Sequence, residues 1–565
     1  MKRTCFKQFL INICSFGVLY FFGQYGVCFA SACNKNPYIK ETGPLVETSS
    51  GPIVGKYVKV FDTDVAAFLG IPFAKPPIGE KRFAKPEPIG KWETPIFANA
   101  KPSSCVQFSS RDFHWIPKGI NISEDCLYLN VWTPVHCNCN DFNKLPVLVW
   151  IHGGGFYAGS STMDVYDGSI FSSYGDAVIV SVNYRLGIFG FLNAGIDQAP
   201  GNVGLFDQLL ALKWINANIQ NFGGDPNSIT LFGESAGSIS INDLLLSPLS
   251  DGLFHKVIME SGTAYYQYYT DNSNIALFKA STFSKVVGCE SENKTLATSP
   301  VEVVQCLKEK DSSQLAEAEN MFTSKFPLFF TPTFGDEFLP QHPILQMKSG
   351  EFPQLPILIG NNKNEGSVFL SYAMPDVFPS DKSVNLTLLQ AKNVIRGLFA
   401  NAPEVSPEVV FAFYFRNITE DNSAEVVQAI SNAFGDFTFN CPSLFLAEKT
   451  NNSRLYWLTH RSLKEGDAEW MGIPHFYEVQ YIFGKPIIDA LKYTPEDGKF
   501  SGDLIKKWVN FARTGNPISD NSNGYWPKLV ALNPTAYELN PRSEGAIPHP
   551  RLEACEFWRP YIVYK

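Results

Sequence analysis

Four stretches of the chain carry residue types that could do chemistry together. The first is Gly233-Glu234-Ser235-Ala236-Gly237, entered from the apolar run Ser228–Phe232. The Gly-x-Ser-x-Gly spacing predicts a sharp strand-to-helix turn that holds a serine hydroxyl clear of the backbone. Side chains two residues either side of Ser235 would collide with the neighbouring strand and helix, which is why glycine stands at both places. A free hydroxyl is a poor nucleophile, so this turn requires a base and a site that accepts developing negative charge. Taken alone the five-residue pattern also fits an ordinary Gly/Ser-rich turn, and its surroundings must decide.

The second stretch is His152-Gly153-Gly154-Gly155-Phe156-Tyr157, directly after the run Leu145–His152. Three glycines leave backbone N–H groups unshielded, able to donate to an oxyanion. By itself the run reads as a tight turn; ahead of Gly-x-Ser-x-Gly in this order it fits one architecture, whose further donor is the amide of Ala236. In that architecture the acid precedes the base, and the base comes last. Beyond Glu365 the histidines are His460, His475 and His549. His549 lies in Ile-Pro-His-Pro and reads as an exposed turn. His460, inside Leu455–Leu463, reads as an ordinary packed or surface histidine. His475 lies in the loop Trp470–Glu478 before the run Val479–Phe483, where a movable base belongs. Many carboxylates lie between Ser235 and His475; Glu365 stands out because it follows a strand directly and precedes Gly366-Ser367.

These groups need a sheet to hold them. Gly51–Val58, Val65–Ile71 and Glu124–Trp132 read as strands, and Leu145–His152, Ala177–Asn183 and Leu355–Gly360 are continuous apolar runs of the kind buried on both faces. Gly204–Phe222 has helical spacing and stops at Gly223-Gly224. The order strand, helix, strand, serine turn, helix predicts an α/β fold, a single large domain with a mostly parallel central sheet. With 45% hydrophobic and 18% charged residues, the 565-residue chain can bury a large core, and no linker or repeat divides it.

The formal net charge of −9 argues against a nucleic-acid partner. Residues 1–32 read as a signal peptide: Lys2, Arg3 and Lys7, then the mostly apolar Phe9–Phe22, then Ala30-Ser31-Ala32. Residues 33–565 are then the secreted domain. Removing the signal takes Cys5, Cys14 and Cys28 with it, and the cysteines that remain suit disulfides in an oxidising compartment. Sequons at Asn121, Asn293, Asn385, Asn417 and Asn451 agree with glycosylation on that route. The chain stops ten residues after Cys555, with no amphipathic tail or lipid-anchor signal, so the expectation is a monomer or weak dimer without a membrane anchor.

From about Gly51 to Trp558 the chain resembles the type-B carboxylesterase and cholinesterase family of the α/β-hydrolase fold. Glu124–Trp132, His152–Gly159, Gly201–Phe222, Leu231–Ser238, Asn362–Ser367 and Gly472–Glu478 carry the likeness. The resemblance implies Ser235 as nucleophile, His475 as general acid/base, Glu365 as its orienting acid, and an oxyanion hole of the Gly154, Gly155 and Ala236 amides. It implies disulfides Cys105–Cys126, Cys289–Cys306 and Cys441–Cys555, and leaves Cys33, Cys137 and Cys139 without counterparts. No metal or organic cofactor enters such a reaction. The family also holds adhesion proteins that have lost the serine or histidine; both are present here.

The same resemblance bears on the ester. A tryptophan in the first disulfide loop holds a quaternary ammonium in cholinesterases, and Trp115 lies in that loop, one residue further from Cys126 than the pattern expects. Glu234 matches the acid that attracts the cation. Tyr157, Tyr166, Phe369 and Tyr372 match gorge-lining aromatics, while Val368 replaces an aromatic. Phe326 matches the first bulky acyl-pocket position, Leu328 stands at the second, and Tyr268 takes a place often held by tryptophan. The expectation is a small-molecule ester substrate, a choline ester such as acetylcholine; the alternatives are a general carboxylesterase and a non-catalytic binding protein.

Overall fold

The computed structural model describes residues 43–108, 119–135, 144–323, 328–419, 422–464, 466–519 and 524–563. The signal segment, Cys33, Trp115, Cys137, Cys139 and Phe326 lie outside them. The apolar runs form one twisted sheet. Its strands are β1 (Lys56–Val60), β2 (Thr63–Pro72), β3 (Tyr128–Pro134), β4 (Leu145–Ile151), β5 (Val178–Val182) and β6 (Gly224–Glu234). They are followed by β7 (Lys256–Glu260), β8 (Ile357–Asn362), β9 (Ser453–Leu458), β10 (Thr535–Leu539) and β11 (Gly545–Pro548). Across the sheet the order is β11-β10-β9-β8-β7-β6-β4-β5-β3-β2-β1. The centre from β10 to β5 is parallel, and both flanks are antiparallel. The sheet is therefore mostly parallel, as the uninterrupted apolar runs predict. All seven residues of β4 and all five of β5 are buried.

The first predicted strand divides at Gly55, whose amide turns away to donate to the Pro44 carbonyl at 2.8 Å. Pro52–Val54 then joins a separate small sheet, and Lys56 onward edges the main one. The helices that bear on the site are α1 (Gly187–Phe191), α2 (Val203–Asn218), α3 (Ala236–Leu246) and α4 (Ser312–Thr323). Further along come α5 (Ser367–Ala373), α6 (Val479–Ile482), α7 (Pro495–Thr514) and α8 (Leu552–Ile562). The predicted helix Gly204–Phe222 is α2 with a 3₁₀ turn over Ile219–Phe222, closed by Gly223 at φ 86°. One apolar layer packs on each face of the sheet; Trp150, Phe232, Phe483 and Trp508 fill one of them.

Cys105 is bonded to Cys126, Cys289 to Cys306 and Cys441 to Cys555, the pairing that the resemblance implies. His549, expected in an exposed turn, is buried beside Trp457, and burial holds its pKa down at about 4. It directly follows the edge strand β11, and its amide donates to the Pro534 carbonyl at 2.9 Å. His460 is packed, its Nε2 2.7 Å from Asp497 at the start of α7. Among the described residues no helix is long and apolar enough to cross a membrane.

Candidate active site

Strand β6 ends at Glu234, and Ser235 turns the chain into α3 with φ 58° and ψ −123°. For a side chain with a Cβ this backbone costs about 1–3 kcal/mol, so the surroundings must hold it. They do so from both directions. The Ser235 amide donates to the Glu260 carbonyl at the end of β7 (2.9 Å), and its carbonyl accepts from Ile239 one turn into α3 (2.9 Å). A Cβ on Gly237 would stand 2.0 Å from the Ile151 carbonyl oxygen, so the helix can press against the end of β4 only with glycine there.

That contact sets the serine beside the loop leaving β4. Gly154, at φ 114°, sits where a Cβ would meet the Ala158 carbonyl at 2.1 Å. Its own carbonyl accepts from Tyr157 and Ala158. Among the described residues the Gly154 and Gly155 amides have no acceptor, and Ala236 is the first residue of α3, where an amide lacks a helical partner. A Cβ on Gly153 would fall 3.0 Å from the Ser235 Cβ, so loop and serine touch. His152, which opens this loop, stacks on Tyr184 and is held neutral by burial, with a pKa of about 4.

Glu365 follows β8 by three residues. Its Oε1 accepts from the Asn362 amide (2.7 Å) and from Ser261 Oγ (2.6 Å), which fixes the carboxylate; its Oε2 accepts from His475 Nδ1 at 2.6 Å. Phe369 and Phe439, stacked on each other with centroids 5.2 Å apart, pack against one side of the imidazole, 5.0 and 4.4 Å from it. Its other nitrogen, Nε2, lies 2.8 Å from Glu234 Oε1, the residue before the serine. This approach is an ion pair without hydrogen-bond alignment, since neither atom has an aligned partner.

Two more acids complete the floor. Asn362 Nδ2 donates to Glu478 (2.5 Å), and Trp508 Nε1 donates to Glu260 (2.8 Å). Glu234, Glu260, Glu365 and Glu478 are all buried, and Glu260 lies opposite Glu234 in the β6–β7 pairing. Burial opposes charge on His475, but the carboxylates of Glu234 and Glu365 outweigh it and push its pKa up to about 10. Burial, and then the neighbouring carboxylates, hold Glu260 well above the usual carboxylate range and lift Glu478 to about 8. Burial also raises Glu234, which the His475 charge pulls back.

Ser235 and Glu365 follow the ends of β6 and β8, and His475 joins Glu365 to Glu234, the residue before the serine. Phe369 stands against the histidine; Tyr157, Leu328 and Tyr372 are half-buried, and Tyr166 is buried between Trp150 and Phe476. Tyr268 donates to Glu404 at 2.5 Å. All five sequon asparagines are exposed. Sequence reasoning missed Phe439, Glu260 and Glu478. Phe439 lies in a π-helical turn, Asp436–Asn440, and Glu260 follows a strand with nothing to distinguish it from an ordinary strand-end acid.

A profile of the carboxylesterase family matches residues 42–558. The chain is 36% identical over 536 residues to an acetylcholinesterase of Bungarus fasciatus, covering 92% of this chain and 86% of that one. It is 36% identical over 533 residues to acetylcholinesterase-1 of Trittame loki, covering 92% and 95%. It is 36% identical over 531 residues to a cholinesterase of Mus musculus, covering 91% and 86%.

Proposed function

Because the chain belongs to the carboxylesterase family and is a serine carboxylic ester hydrolase, we propose that Ser235, His475 and Glu365 carry the reaction and that choline esters are its preferred substrates. His475 takes the Ser235 proton, Ser235 Oγ attacks the ester carbonyl, and the amides of Gly154, Gly155 and Ala236 hold the oxyanion. The alcohol leaves with a proton from His475, and water repeats the cycle on the acyl-enzyme. Glu365 keeps the proton on Nδ1, so that Nε2 is the nitrogen that works. The observation that carries this reading is the 2.6 Å bond from His475 to a carboxylate already fixed by Asn362 and Ser261, beside a serine held at φ 58°.

The choline preference rests on Glu234 at the serine, on the aromatic Phe369, and on relatives named for choline esters. Trp115 is the proposed platform for the quaternary ammonium. The chain acts as a secreted, glycosylated monomer or weak dimer, with residues 1–32 removed and 33–565 forming one domain.

Steady-state hydrolysis of acetylthiocholine beside phenyl acetate tests both parts. Ser235→Ala abolishes turnover of both while leaving the thermal midpoint within a few degrees; full activity in that variant overturns the assignment of the nucleophile. A preference for acetylthiocholine that Trp115→Ala removes supports the choline-ester reading. Equal turnover of both esters, unmoved by Trp115→Ala, makes the enzyme a general carboxylesterase.

A further inference from the structure

The exposed side of α7 borders a depression of about 640 Å³ that lies outside the hydrolytic site. Its lining comes from four separate segments: Tyr174 in the short helix Ser169–Gly175, Lys464 after β9, the stretch 486–493, and Lys499 and Lys506 in α7. We propose that this face docks reversibly on a bilayer bearing anionic headgroups, with the lysines on the phosphates and neighbouring leucines in the acyl boundary.

The charge on this face runs against that of the chain. The whole sequence carries a formal −9, yet three lysines and a single carboxylate, Asp503, line the depression among the described residues. Lys499 and Lys506 are two helical turns apart, so both stand on one side of α7, about 10 Å from each other along its axis. Both are exposed, and among the described residues neither ammonium has a hydrogen-bond or ion-pair partner. The neighbouring Lys507, by contrast, pairs with Glu544 at 2.8 Å. The acids at the start of α7 are engaged elsewhere, Glu496 with Arg542 at 2.6 Å and Asp497 with His460 at 2.7 Å. Lys464 Nζ donates to the carbonyls of Ala490 (2.8 Å) and Leu491 (3.5 Å), bonds that hold the side chain without cancelling its charge.

Those bonds also gather the apolar residues. They tie the segment after β9 to Leu491, so Leu463, 76% exposed, and Leu491, 91% exposed, belong to one rim. Ile488, 53% exposed, and Tyr174 continue it, and Phe61 in the β1–β2 turn meets the Tyr174 ring edge-on at 6.3 Å. The rim rests on a fixed base. A capping box of Thr494 and Asp497 closes the start of α7, and a Cβ on Gly498 would stand 3.1 Å from the Pro486 carbonyl oxygen. Contiguous apolar side chains this open mark a surface that something covers. Leucines and an aromatic ring flanked by lysines suit a bilayer interface, where apolar groups enter the acyl boundary and ammonium groups stay with the phosphates. A small soluble anion would use the lysines and leave the leucines in water. An uncharged apolar partner would use the leucines and strip water from unpaired lysines.

Flotation of the full chain with vesicles tests this. The protein rises with vesicles of phosphatidylcholine and phosphatidylserine in equal parts, stays behind with phosphatidylcholine alone, and is released by added salt. Lys499→Glu combined with Lys506→Glu weakens the apparent affinity by at least about 10-fold. Leu463→Ser combined with Leu491→Ser weakens it by about 10-fold and leaves the salt dependence in place. None of the four positions belongs to the hydrolytic site, so an unchanged kcat for phenyl acetate reports that each variant is folded. Failure of the wild-type protein to float with the phosphatidylserine vesicles overturns the proposal, and so does flotation that either pair of substitutions leaves unchanged. Binding to heparin that needs the lysines but not the leucines, without flotation, assigns the face to a soluble polyanion and overturns membrane docking.

Discussion

At the scale of single residues, the site works by what is fixed and what is not. Glu365 is locked by donors from two strands' ends, so its effect on His475 is electrostatic and orienting rather than a proton transfer. Glu365→Gln keeps the acceptor for Asn362 and Ser261 but loses the charge and lets the imidazole take the wrong tautomer. The expected result is a fall in kcat of about 10³–10⁴-fold with little change in KM, measured on whichever ester turns over best; a fall of less than tenfold would transfer the orienting role to another acid, with Glu234 the nearest. The stacked pair Phe369 and Phe439 shields one side of the ring from water, which strengthens the charge interactions it makes.

At the scale of elements, helix α4 is tied to α1 by one buried carboxyl. Glu319 accepts from the Ile188 amide at 2.9 Å, and burial lifts its pKa to about 7 against that bond. A carboxyl raised on folding stabilises the fold fully below its ordinary value near 4.5, and the contribution is lost as pH climbs through about 7. Thermal midpoints should therefore fall between pH 5 and 8, by an amount worth up to about 3 kcal/mol from this group. Glu319→Gln flattens that slope; a slope identical to wild type would place the titration elsewhere. The elements themselves are largely legible in the sequence. Buried parallel strands announce themselves as unbroken apolar runs, and Gly-x-Ser-x-Gly requires one backbone shape. Phe439 and Glu260 were not readable. The π-helical turn shifts Phe439 onto the face that meets His475, and no local pattern marks such a shift. Glu260 becomes part of the floor only because β7 pairs with β6 in the register that sets Glu260 beside Glu234. Register is a property of two strands and is absent from either one alone. His549 misled because proline on both sides suggests an open turn, whereas here it borders an edge strand.

At the scale of the molecule, three disulfides among the described residues bound the chain's freedom, and the longest of them joins residues 114 apart. Cys441–Cys555 holds α8 against the helices beside the Phe439 turn, so it protects the wall of the site as well as the end of the chain. Cys555→Ser is expected to cost about 2–5 kcal/mol, read as a lowered midpoint in chemical denaturation, and activity should fail at lower denaturant than the fold does. Coincident loss of both would mean that the wall has no independent stability. The close packing of Gly237 on Ile151, described above as what sets the serine, has a consequence for descent. The hydrolytic centre occupies a region where backbone meets backbone and almost no exchange of residue fits. Tyr157, Leu328 and Tyr372, the proposed walls of the ester pocket, are half-buried side chains on a turn, a loop and a helix. A lineage with this fold can therefore drift from one ester to another by trading those walls, while the machinery that cleaves the bond passes down unaltered.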